Sequence, residues 1–120
     1  MKIYEIKTNN GELAAFEIDH VYISKKNIAE LLSSLDGVSN VSPNTSNSGV
    51  HIEFVYLGSD FIVWEPFADN SRYWIGPENE GGIPGELRVN EIASVFRSYM
   101  PTLLRRLIGN ILSLRLTMKK

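Results

Sequence analysis

Apolar residues bounded by charged ones make positions 2–7 and 12–18 two strand-like runs. Thr8-Asn9-Asn10-Gly11 separates the two runs. Its Asn-Gly step supplies the positive φ values of a tight turn, so the two runs are predicted to form a hairpin. A helical period follows. Ile28, Leu31, Leu32 and Leu35 recur at helical spacing within 25–35, with Ser24 placed to cap the helix and Gly37 to stop it.

After residues 38–43 and a polar loop at 44–49 come 50–57 and 60–67, the strongest strand pair in the chain. Gly58-Ser59 between them suits a type II′ turn. A two-residue loop there pairs Leu57 with Asp60, Tyr56 with Phe61, Phe54 with Val63 and Ile52 with Glu65. Val50, Ile52, Phe54, Tyr56, Phe61, Val63 and Phe67 then share a core face, and His51, Glu53, Val55, Ile62 and Trp64 share the other. A second turn at Asp69-Asn70 is expected to bring back residues 72–76, pairing Phe67 with Arg72 and Glu65 with Trp74.

Residues 77–86 hold three glycines and two prolines in ten positions, so an exposed, flexible loop is expected there. From Val89 the helical period resumes in Ile92, Val95, Phe96, Tyr99, Leu103, Leu107, Ile111 and Leu114, and Pro101 is expected to kink or split this helix near Met100. The pattern as a whole predicts one α+β domain over 1–120. An N-terminal hairpin and a three- to four-stranded antiparallel meander carry one short helix and a long, Pro-kinked C-terminal helix.

Charge adds an asymmetry to this picture. Residues 1–87 carry 13 acidic and 5 basic side chains, whereas 88–120 carry 7 basic and 1 acidic. A basic helix resting on its own acidic sheet accounts for this most simply. An acidic body with no recognised reader motif disfavours a nucleic-acid partner. Arg105, Arg106, Asn110 and Arg115 interrupt the apolar stretch 103–118, which disfavours integral membrane association. The chain has no cysteine, which excludes disulfides, thiolate metal sites and thiol nucleophiles. With an N-terminus that lacks a signal-peptide pattern, this points to the cytoplasm.

Candidate chemistry is sparse. No phosphate-binding glycine loop, nucleophile elbow or metalloprotease motif occurs, and His20 and His51 show no ligand spacing, so neither metal nor cofactor is expected. Two surfaces remain. On the predicted register Glu65 lies on the apolar face beside Trp74 with Arg72 along the same strand, a candidate ligand pocket or acid–base site; the plain alternative is an ion pair that holds the turn. On the other face His51, Glu53, Trp64 and Tyr73, extended by Asp69 and Glu78, form an aromatic and acidic candidate surface for a partner.

The function expected from these features is a non-catalytic protein-binding module. Such a module neutralises or regulates a basic partner such as a bacterial toxin, as an immunity protein does. A small-ligand binder or minor enzyme built on Glu65, Arg72 and Trp74 is the alternative. Apolar residues around more than one face of the last helix, Leu104, Ile108 and Leu112 beside Leu103, Leu107 and Ile111, also point to a homodimer through that helix.

Overall fold

The computed structural model describes residues 1–44, 49–65, 72–79 and 87–99. Its strands are β1 (Ile3–Lys7), β2 (Leu13–Asp19), β3 (Val38–Pro43), β4 (Val50–Tyr56), β5 (Ser59–Trp64) and β6 (Arg72–Pro77). Its helices are α1 (Lys25–Ser33) and α2 (Val89–Ser98), with a single 3-10 turn at His20–Tyr22 after β2. The described strands form one antiparallel sheet in the order β1-β2-β6-β5-β4-β3. The fold is therefore α+β, with an N-terminal hairpin joined edge to edge to a four-stranded meander.

Local chemistry sets each element. In the first hairpin the Gly11 N–H donates to the Thr8 carbonyl at 3.0 Å, and Gly11 takes the positive φ of 81° that the turn needs. The Ser24 hydroxyl accepts from the Asn27 N–H at 3.1 Å, so α1 begins at the predicted cap. Ile28 and Leu32 are its buried residues, and they face β3 and β4. In α2, Val89, Ile92, Ala93 and Phe96 are buried against β2 and β1, and the rings of Phe96 and Phe16 meet at 5.4 Å. Both helices lie on one face of the sheet. Phe16, Ile18, Ile52, Phe54, Tyr56, Phe61, Val63, Tyr73 and Ile75 point into that core.

Two registers differ from the sequence-based expectation. The β4–β5 loop is Leu57-Gly58, with φ of 50° and 83°, the double positive φ of a type I′ turn; Tyr56 pairs with Ser59, Phe54 with Phe61 and Ile52 with Val63. The slip amounts to two residues, so every predicted inward side chain of 52–63 keeps its face. It stacks Phe54 on Phe61 at 5.4 Å and 17°. The β5–β6 register is displaced by one residue, pairing Trp64 with Trp74 and Val63 with Ile75, and a one-residue shift reverses faces. Tyr73 and Ile75 enter the core, while Arg72 and Trp74 turn outward. The cause is β2: β6 also pairs with it, Phe16 opposite Ile75 and Ile18 opposite Tyr73, and the inward residues of β2 fix which residues of β6 turn inward.

Helix α2 stops at Ser98, and Tyr99 is extended at φ −69° and ψ 134°. The expected turn at Asp69-Asn70, the loop residues 80–86, the Pro101 kink and the stripe from Leu103 to Leu114 lie outside the described residues, as does the helix surface assigned to a homodimer. Among the described residues no helix is long and apolar enough to cross a membrane.

Candidate functional site

The sheet face opposite the helices is built by simple alternation. With Phe16 and Ile18 inward, Ala15, Glu17 and Asp19 of β2 face out; so do Tyr4 and Ile6 of β1, Arg72, Trp74 and Gly76 of β6, Ile62 and Trp64 of β5, and Glu53 and Val55 of β4. At its centre the two tryptophans of the chain meet edge to face, ring centroids 5.9 Å apart at 84°.

Small residues seat these rings. A Cβ on Gly76 would stand 2.7 Å from the Trp74 indole and 2.8 Å from the Ala15 Cβ. The indole therefore lies along its own strand, over the place where a side chain at 76 would be. Beside it runs a groove of about 350 Å³ lined by Ile6, Ala15, Ile62, Trp64, Trp74 and Leu87, with Pro77 and Glu78 at its margin.

Among the described residues the charge on this face is mainly negative: Glu17, Asp19, Glu53, Asp60 and Glu78 stand on or beside it, against Arg72, engaged with Asp19 at 3.5 Å and Glu17 at 3.8 Å, and Lys2, whose Nζ lies 4.9 Å over the Tyr4 ring. Arg72 also lies 3.5 Å over the Tyr4 ring, whose hydroxyl donates to Asp19 at 2.9 Å. Asn44 donates to Glu53 at 3.2 Å. The result is an apolar, aromatic groove within an acidic surround.

A second cluster sits on the core side, at the end of the sheet where β5 finishes. Glu65 is buried, and its Oε1 lies 2.5 Å from His51 Nε2, while its buried Oε2 has no hydrogen-bond partner among the described residues. The Tyr73 ring stands edge-on to His51 at 5.8 Å and tilted against His20 at 5.2 Å. Burial, together with the negative charge of Glu65, pushes the Tyr73 phenol above its ordinary value of 10.0.

The predicted site residues are thus divided. Of the expected partner surface, Glu53, Trp64 and Glu78 are on or beside the outer face, His51 and Tyr73 are turned to the core side, and Asp69 lies outside the described residues. The expected pocket is separated: Glu65 is inward, Arg72 and Trp74 are outward, because the β5–β6 register differs by one residue. Sequence reasoning did not bring Tyr4, Ile6, Ala15, Glu17 or Asp19 to this face. The alternation in 15–19 carried the signal, once β2 is known to join β6. Among the described residues no cluster of side chains could hold a metal ion. No protein-family model, curated protein or solved structure matches the chain.

Proposed function

We propose that this protein is a non-catalytic binding module whose outer sheet face docks a basic protein partner, in the manner of a protein that neutralises or regulates that partner. The observation that carries the reading is the Trp64–Trp74 groove within an acidic surround. Buried aromatic anchors supply the energy of an interface and charged rims supply its orientation and rate. An apolar groove with acids on its margins fits a partner that presents an apolar side chain flanked by lysine or arginine. A carboxylate surface of this kind repels phosphates and acidic proteins.

Both tryptophans line the groove, so intrinsic fluorescence reports its occupancy. Titration with a peptide of alternating arginine and phenylalanine is expected to shift the emission. The shift should weaken with added salt, and Glu53→Lys combined with Glu78→Lys should reduce affinity about tenfold. A twin peptide with glutamate in place of arginine should leave the spectrum unchanged. Equal response to both peptides, or response to neither, would overturn the reading.

A further inference from the structure

Unbroken alternation would put His51 on the outer face, opposite Trp64 and beside Glu53. Instead Val50 takes Trp64 as its partner and the ladder shifts before Ile52. His51 is the extra residue of a β-bulge, and its ring turns to Glu65 and Tyr73 on the core side; re-aiming one side chain is what bulges do. The bulge sits where the hairpin opens, next to the backbone bond from the Glu65 N–H to the Gly49 carbonyl at 3.0 Å.

At 2.5 Å, Nε2 of His51 and Oε1 of Glu65 cannot present lone pairs to each other, so a proton lies between them. The Glu65 side chain is 7% exposed, and His51 is its hydrogen-bond partner. We propose that the His51–Glu65 pair is a proton-operated latch on the open end of the β4–β5 hairpin. With His51 doubly protonated, its charge offsets that of the Glu65 carboxylate, and the bulge and the Glu65–Gly49 bond are held. The neutral ring can still donate its Nε2–H to Glu65, but the buried carboxylate then lacks a counter-charge where water barely reaches, and the hairpin end opens.

Among the described residues no other charged side chain is hydrogen-bonded to the pair. From β6, Tyr73 faces the pair, and its raised phenol pKa keeps it neutral. From the turn after β2, His20 lies against the far side of the Tyr73 ring, and Lys25 and Lys26 at the start of α1 line the cleft that His20 and Tyr73 border. None of these is hydrogen-bonded to Glu65, and Arg72 is turned to the opposite face with Glu17 and Asp19.

Nuclear magnetic resonance on the intact chain tests the latch. The ring nitrogens of His51 report its protonation, and in the same samples hydrogen exchange at the Glu65 amide reports opening. As His51 loses its proton, protection of the Glu65 amide is expected to fall about tenfold or more after correction for the intrinsic pH dependence of exchange. Glu65→Gln keeps the shape and removes the charge, so protection in that variant should not follow the state of His51. His51→Gln should hold the amide at the low protection of the open form at every pH. Protection that stays constant while His51 deprotonates, or that still follows His51 in Glu65→Gln, would overturn the latch.

Discussion

Gly76 lacks a side chain where the Trp74 indole needs the space. Gly76→Ala is expected to push the ring off the strand, because the new methyl would stand 2.8 Å from the Ala15 Cβ as well as 2.7 Å from the indole. Overpacking of this kind costs about 1–3 kcal/mol. A urea titration should show that loss together with a red-shifted tryptophan emission, and an unshifted spectrum would mean that the ring has another seat. Carboxylates act at the same scale. The Arg97 guanidinium, donating to Glu5 at 2.6 Å, and the Tyr56 hydroxyl, donating to Glu91 at 2.5 Å, hold both carboxyls below their ordinary value of 4.5.

Because the folded state binds these protons less readily than the unfolded chain, the stabilisation is complete above that value and is lost as the pH falls through the lowered one. Denaturation midpoints measured from about pH 6 to about pH 3 should therefore fall, and the fall should be shallower in Glu91→Gln. A slope unchanged by that substitution would remove Glu91 from the account. In base the direction reverses. Tyr56 and Tyr73 are both raised above 10.0 by burial and by neighbouring carboxylates, so tyrosinate absorbance should develop late for these two.

Among the elements, the β4–β5 hairpin shows what alternation can and cannot specify. Because Gly58-Ser59 satisfies the II′ preference, the sequence pattern puts its turn one residue late, whereas the structure puts Leu57, a residue ill-suited to positive φ, in the first loop position. Leu57 is half exposed, and its N–H donates to the Gly37 carbonyl at 3.0 Å, a tie between the turn and the residue just before β3 that no local pattern encodes. Leu57→Asn restores the Asn-Gly pair favoured in I′ turns and should raise stability by about 1 kcal/mol. A loss of stability would show instead that the Leu57 contacts with Gly37 outweigh the backbone strain. Faces within 52–63 were legible despite the slip, since parity survives a shift of two. The faces of β6 were not, since a shift of one reverses them, and the partner that fixes β6 lies more than fifty residues away in β2.

For the whole molecule, that distant pairing decides where the candidate site is. The α+β class, the first hairpin, the cap of α1 and the apolar face of α2 could all be read from local periodicity. The groove could not, because Ile6 and Ala15 come from the first hairpin, Ile62, Trp64 and Trp74 from the meander, and only the β2–β6 seam sets them side by side. Because the seam joins the two halves by a backbone ladder, the sheet is expected to unfold as one cooperative unit. Ile18, fully buried opposite Tyr73, belongs to the half of the sheet that holds no tryptophan. Ile18→Ala should cost about 2–5 kcal/mol and lower the unfolding midpoint seen by tryptophan fluorescence and by far-ultraviolet dichroism equally. Separate midpoints would show that the hairpin and the meander melt apart.

The same seam has a consequence during synthesis. The N-terminal hairpin leaves the ribosome with β1, one neighbour of β2, already made and the neighbour on its other side still missing. Its missing neighbour is the last strand of the sheet to be made, and at about 5–20 residues per second the roughly fifty intervening residues take about 3–10 s to appear. For that interval the nascent chain displays an unpaired strand edge beside Phe16 and Ile18, a surface that chaperones and other nascent copies can reach before β6 closes it.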